Sequence, residues 1–259
     1  MTYEIIDVNL KNLNQIGLFC HQSKKKQEGY QSKIEWIKER FSEGLKYKML
    51  KVDEGNKLAY RGFIEYIPSE FNWRGIRADN FMVIHCIWVI GRHKGKGYAS
   101  EMIQMAIDDA KSLKMNGVVA IAIKKGGWLP RTTLYEKLGF KQVDQMGENY
   151  ILYTIFLNKS SPSPSFHPIT DRVKQSYERG ITVLYTHQCP YYPAVLEDVE
   201  QFANNSNETF RSKFISTAEE ASQNVMIPYG PFSILCDGEN LPYKAGMRKK
   251  KLSDIHSRS

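Results

Sequence analysis

The chain has 259 residues, 42% hydrophobic and 25% charged, enough for one large domain or two ordinary ones and too apolar for a disordered or low-complexity class. It carries 36 Lys+Arg against 28 Asp+Glu, a net charge of +8, and no apolar run long enough to cross a membrane, so no membrane partner is expected. Four cysteines form no CxxC pair, and the first residues lack a basic-then-apolar leader, which predicts a cytoplasmic protein with free thiols.

Taken in order, a strand is predicted at 3–8, then helices at 11–20 and 33–41. Strands follow at 47–52, 57–67 and 80–90. The segment 97–115 places Met102, Ile103, Met105, Ala106, Ala110 and Leu113 at helical spacing, and Gly117 punctuates its end. Val118–Ile123 is an unbroken apolar run, the mark of a strand buried on both faces. A short helix is bounded by Pro130 and Gly139, with strands at 140–143 and 150–156. The stretch from Asn158 to Pro168 holds four serines and three prolines and reads as a linker. Beyond it come a helix at 168–178, a strand at 181–186, a helix carrying Val195, Leu196, Val199 and Phe202, and a strand at 210–216. A capping box at Thr217–Glu220 opens a further helix, a strand and turn span 231–238, and Leu241–Met247 leads into a basic end at Arg248–Lys251.

The charge is unevenly placed. Residues 1–160 carry 25 Lys+Arg and 17 Asp+Glu, whereas residues 161–259 carry 11 of each. Three of the cations, Arg92, Lys94 and Lys96, share a loop with Gly95 and Gly97 where a strand passes into a helix. Glycines let the backbone approach a ligand, and a helix N-terminus favours an anion. The lysines at 24–26 have no aromatic platform or recognition helix beside them, so no nucleic-acid partner is expected.

Arg92-x-x-Gly95-x-Gly97 resembles the acetyl-CoA pyrophosphate loop of the GNAT N-acetyltransferases, and Leu134-Tyr-Glu-Lys-Leu-Gly-Phe140 is similar to their fourth-helix block. The resemblance implies an α/β (α+β) fold, a mixed, mostly antiparallel sheet flanked by helices, over residues 1–158, with acetyl-CoA as cosubstrate. It places Arg92, His93, Lys94, Gly95, Lys96, Gly97, Tyr98, Ala99 and Ser100 around the cofactor. Backbone N–H groups of Ile87, Trp88 and Val89 would polarise the acetyl carbonyl. It makes Tyr135 the candidate general acid to the thiolate. The general base stays open between His85, Glu65 and ordered water. An asparagine common in relatives is missing from 126–131, where Arg131 is a candidate phosphate contact. Cys86 adjoins His85, but alternation along a strand would set them on opposite faces.

The order after the linker, residues 169–259, resembles a thioredoxin-like domain of β-α-β-α-β-β-α type. Tyr185-Thr-His-Gln-Cys-Pro-Tyr-Tyr192 is similar to a glutaredoxin site with Cys189 as nucleophile and Tyr192 where the second cysteine would stand. Gly230-Pro231-Phe232 resembles the cis-proline entry of that fold. A helix N-terminus would lower the Cys189 pKa and leave monothiol chemistry open; a binding or assembly role is the alternative. His187 and Cys189 find no further ligands, so no metal is expected. The pairing resembles the bacterial YoaP-type acetyltransferases. The expected activity is acetyl transfer to a primary amine, small molecule or peptide. A noncatalytic acyl-CoA sensor is the alternative, and the acceptor and oligomeric state stay open.

Overall fold

In the computed structural model, residues 2–126, 129–224, 228 and 230–241 are described; the basic end at Arg248–Lys251, Gly127, Trp128 and most of 241–247 lie outside them. The strands are β1 (Tyr3–Val8), β2 (Lys46–Asp53), β3 (Leu58–Pro68), β4 (Ile76–Arg77), β5 (Phe81–Val89), β6 (Gly117–Ile123), β7 (Lys141–Met146), β8 (Tyr150–Phe156), β9 (Ser165–Phe166), β10 (Ile181–Tyr185), β11 (Phe210–Phe214), β12 (Phe232–Cys236) and β13 (Glu239–Leu241). The helices are α1 (Leu13–Ile16), α2 (Glu28–Ser42), α3 (Tyr98–Ser112), α4 (Thr132–Lys137), α5 (Asp171–Gln175), α6 (Tyr192–Asn205) and α7 (Ala218–Gln223).

Seven strands form the first sheet in the order β1-β2-β3-β5-β6-β8-β7. Every pair is antiparallel except β5 with β6. The fold is thus mixed α/β with a mostly antiparallel sheet flanked by helices, as expected. The apolar stripe of α3, Met102, Ile103, Ala106 and Ala110, lies fully buried on one face with Ile84, Ile87 and Tyr135. The opposite face is covered by α1 and α2 through Leu13, Tyr30, Ile34 and Ile37.

The parallel pair β5–β6 positions the site. It is in register only from Phe81↔Gly117 to Ile84↔Ala120, although β5 continues to Val89 and β6 to Ile123. Beyond Ile84 the two strands part in a V. β6 stays paired with β8 to its end, while β5 keeps β3 as its partner. A bulge sits at the fork: Glu65 faces Cys86 and Tyr66 faces Ile84, so His85 is the extra residue.

That bulge corrects the alternation argument for His85 and Cys86. Ile84 and Ile87 point into the α3 core, whereas Cys86 joins the α2 core and the His85 ring lies 6.5 Å from that of Trp36. Both residues at the bulge therefore face the Glu65 side.

The Ser/Pro stretch is laid against the first sheet rather than spanning solvent. Ser165 and Phe166 pair with β4, the Phe166 N–H donates to Asp144 Oδ2 (2.7 Å), and Phe166 is buried. Two-residue strands of this kind depend on distant partners, so periodicity does not announce them. The second sheet follows in the order β11-β10-β12-β13, with β10 and β11 parallel and the others antiparallel. On one face Val183, Ile181 and Ile234 meet Val195 and Val199 of α6. On the other, Leu184 and Leu235 join Trp36 and Trp73 in the core of the first sheet's α2 face. The two sheets thus share a hydrophobic core. No cis peptide occurs among the described residues, which corrects the cis-proline expectation at Pro231: Gly230, at φ +86°, makes the sharp turn instead.

Candidate active site

Gly91–His93 forms a single turn after β5, and the chain then passes through Gly95 and Gly97 into α3. Gly95 (φ +76°) and Gly97 (φ +88°) take the left-handed conformation, and a Cβ on either would meet open space. The turn is thus a backbone cradle, with the N–H groups of Tyr98, Ala99 and Ser100 lacking intrahelical acceptors by helix geometry. Glu54 anchors its base. It accepts from Arg61 Nε (2.9 Å) and Nη2 (2.7 Å), meets the buried His93 at Nε2 (2.9 Å), and lies 3.2 Å from Arg92 Nη2. The Arg61 and His93 bonds hold the Glu54 carboxyl far below its usual range. His93 is therefore a brace beneath the loop. Lys94 lies 5.5 Å over the half-exposed Trp88 ring. The Arg131 guanidinium, the candidate phosphate contact, donates to the Lys124 carbonyl (2.8 Å) and closes the turn between β6 and α4.

Tyr135 is buried at 1% exposure on α4 with its ring 5.4 Å from Phe140. Burial pushes its hydroxyl above the ordinary range. It lies in the α3-face core with Ile84 and Ile87.

Behind the fork is a small cavity of about 40 Å³ between the two sheets. Glu65 is buried in its wall and ion-paired with the buried Lys33 of α2. His85 Nδ1 faces Glu65 Oε1 at 3.5 Å, and the Trp73 N–H donates to His85 Nε2 (3.1 Å). Burial lowers the His85 pKa to about 4, so the imidazole is neutral and its lone pair is already engaged. Burial alone would raise Glu65, but the Lys33 charge and the His85 contact outweigh it and hold the carboxyl at about 2. A carboxylate that weakly basic binds cations well and abstracts protons poorly.

The second sheet supplies the opposite wall. Gln188 Nε2 donates to Glu65 Oε1 (2.7 Å), and Arg74 Nη1 donates to Gln188 Oε1 (3.1 Å). Arg74 Nη2 also donates to the His85 carbonyl. Cys189 lines the same cavity with Cys20 and Cys86. Burial pushes Cys189 up to about 11 and Cys86 up to about 12, so the expected lowering at a helix start is overturned. The α6 helix begins only at Tyr192, and desolvation exceeds the help of the Tyr191 N–H. Tyr192, at the second-cysteine position, is a docking residue: its hydroxyl donates to Glu28 Oε1 (3.0 Å) and lies 3.0 Å from Ser32 Oγ, both on α2. A Cβ on Gly29 would fall 2.1 Å from the Pro190 carbonyl oxygen, so only glycine permits this approach. No group suited to a metal occurs among the described residues.

Lys33, Arg74 and Gln188 escape the sequence reading. Lys33 left a signal, a cation on the face that Tyr30, Ile34 and Ile37 bury. Arg74 left none, because its partners come from β5 and from a residue 114 positions away.

No helix among the described residues is long and apolar enough to cross a membrane. The family model for the GNAT acetyltransferases matches residues 11–140. The chain is 33% identical over 237 residues, 90% of each chain, to the N-acetyltransferase YoaP of Bacillus subtilis (strain 168). Among solved structures, a spermidine N-acetyltransferase from Vibrio cholerae in complex with CoA and spermine aligns at 16% identity, covering 60% of this chain and 95% of that one, with a TM-score of 0.42. A GNAT family acetyltransferase from Brucella melitensis in complex with acetyl-CoA aligns at 12%, covering 64% and 96%, with a TM-score of 0.39. With the model match and the likeness to YoaP over 90% of each chain in place, the chain belongs to the GNAT acetyltransferase family.

Proposed function

We propose that the protein is an acetyl-CoA-dependent N-acetyltransferase that modifies a primary amine of a small molecule or peptide. The observation that carries this is the V between β5 and β6, opening beside the Gly95–Gly97 cradle. The cradle fits a pyrophosphate: two left-handed glycines face open space, a helix starts there, and Arg92, Lys94 and Lys96 surround it. When bound, acetyl-CoA supplies the acetyl thioester to be transferred. Residues 92–100 would hold its phosphates, and the N–H groups of Ile87 and Val89, on the edge of β5 freed from β6, would meet the acetyl carbonyl, the Trp88 N–H turning toward β3.

Tyr135 keeps its proton at every physiological pH, because burial raises its pKa. A phenol raised above its usual range is a weaker acid than a departing thiol, so its service to the sulfur is a donated hydrogen bond rather than complete proton transfer. Tyr135→Phe is expected to lower kcat about 100-fold, the lower end for such a group, while calorimetric acetyl-CoA affinity changes little. Unchanged turnover sinks the role of Tyr135. A chain that binds acetyl-CoA but acetylates no amine favours the sensor reading.

We read residues 1–158 as the acetyltransferase domain, 159–168 as the connector and 169–259 as a thioredoxin-like accessory domain. The order β10-α6-β11-α7-β12-β13, with β10 and β11 parallel, supports that reading. Thiols raised by burial weigh against glutaredoxin-like chemistry at Cys189. Free cysteines support a reducing, cytoplasmic setting.

A further inference from the structure

Among the described tryptophans, Trp88 alone is open to solvent. Trp36 and Trp73 are 5% and 1% exposed, whereas Trp88 is 38% exposed on a strand that is otherwise mostly buried. Its neighbours Ile87 and Val89 turn into the α3 core, so the Trp88 ring leaves the opposite face of the sheet. Directly across from it on β3 stands Phe63, buried on that same face. Tyr47 stacks on Phe63 at 5.2 Å and Phe19 at 5.3 Å. Trp88 thus carries an aromatic surface out into solvent.

An isolated exposed apolar side chain needs no explanation on most surfaces. Trp88 differs in where its backbone fixes it. It lies between the two N–H groups, of Ile87 and Val89, that face the gap where β5 parts from β6. Lys94 covers the ring, with Nζ 5.5 Å from its centroid. That lysine belongs to the loop assigned above to the cofactor phosphates. A charge-assisted bond to phosphate outweighs an exposed cation–π contact, so bound cofactor draws the ammonium off the ring. A flat π face then opens beside the acetyl carbonyl. The buried carboxylates Glu54 and Glu65 are already engaged, Glu54 by Arg61 and His93 and Glu65 by Lys33. A second ammonium on the acceptor finds a partner in neither. An aromatic ring needs no such partner, because offset or edge-on contact with the indole satisfies it.

Resting on the acetyltransferase reading, we propose that Trp88 selects the acceptor: an arylalkylamine whose ring packs on the indole face and whose single primary amine reaches the acetyl carbonyl between β5 and β6. The ammonium first gives one proton to solvent. Its nitrogen lone pair then forms the C–N bond as the C–S bond breaks with its pair on sulfur, and a second proton passes from nitrogen to that sulfur.

The test measures CoA release by the full chain with phenethylamine and tryptamine, with hexylamine as the alkyl counterpart, and with spermidine. Calorimetry reads acetyl-CoA and phenethylamine binding separately. The arylalkylamines are expected to show KM values about tenfold or more below those of hexylamine and spermidine. Trp88→Ala is expected to raise the phenethylamine KM about tenfold, a larger change than in kcat, and Trp88→Phe to recover most of the loss. Emission of Trp88, read as the difference between the parent and Trp88→Phe, should change when acetyl-CoA lifts Lys94 from the ring. Equal or better use of hexylamine or spermidine overturns the acceptor class while the acetyltransferase reading stands. A phenethylamine KM indifferent to Trp88→Ala overturns the placement. Phenethylamine binding that depends on Trp88, with no binding of acetyl-CoA, keeps the platform and overturns the acetyltransferase reading. Acetyl-CoA binding with no amine of the panel acetylated overturns the proposed acceptor.

Discussion

His85 and Glu65 set the acid sensitivity of the molecule through two different balances. Burial lowers His85 to about 4, against about 6.5 for an unfolded histidine. Between those values the unfolded chain takes up a proton that the folded chain refuses, so stability present above pH 6.5 is lost as pH falls toward 4. Glu65, held at about 2 against an ordinary 4.3, adds a second loss as pH falls from about 4.3 toward 2. The protein should therefore begin to lose stability well above the usual carboxylate range, by about 2 kcal/mol from His85 at pH 5. Denaturant midpoints measured from pH 7.5 to 4.5 check this. His85→Gln is less stable at pH 7 because it disturbs the Trp73 and Glu65 contacts, yet its midpoint should fall less steeply than the parent's toward pH 5, the remaining slope coming from His21, His167 and His187, which burial also lowers. A variant curve parallel to that of the parent would refute the assignment.

At the scale of elements, the turn into α3 joins the fold to its chemistry. Gly97 adopts φ +88°, where a side chain is strained by roughly 1–2 kcal/mol, although a Cβ there touches nothing. Gly97→Ala should therefore raise the acetyl-CoA Kd about tenfold by straining the cradle, with only a small change in Tm. Titration calorimetry and a melting curve on the same variant separate the two effects. The position of this turn was legible in the sequence, because glycine spacing and a helix start are local signals. The strands that frame it were legible for the same reason: Val118–Ile123 has the apolar composition that burial on both faces requires. What sequence periodicity could not reveal depended on distant partners. Helical spacing suggested 11–20, but only Leu13–Ile16 is helical, since Gly17 (φ +76°) ends the helix there. The bulge at His85 inverts an alternation that the bare strand pattern predicts, because it is set by the register of β3. The bond from Gln188 to Glu65 joins residues 123 positions apart, and no local pattern encodes such a distance.

At the scale of the whole molecule, the shared core decides how the two sheets behave. Leu235 of β12 is fully buried, yet it packs in the cluster of Trp36, Trp73 and Ile37 and not with the α6 side of its own sheet. The Gly29–Pro190 approach and the Tyr192 contacts to α2 tie the same interface. An accessory domain on a free tether would unfold separately; one that contributes to a common core unfolds with its neighbour. Leu235→Ala should cost about 2–5 kcal/mol, the range for a buried leucine in a core that cannot collapse around the gap. Its effect should appear in one transition. Tryptophan fluorescence, whose four emitters all stand before the Ser/Pro stretch, and far-ultraviolet circular dichroism, which reports on both sheets, should shift to the same lower midpoint. Two separated transitions, with only the second sheet weakened, would mean that the sheets are energetically independent. Coincident curves would mean that the stability of the acetyl-transfer face depends on residues 181–236. The cavity between the sheets has the same dependence, because Lys33, Glu65 and Arg74 form one wall and Gln188 the other. A mutation in the second sheet can then weaken catalysis without touching any group that meets acetyl-CoA.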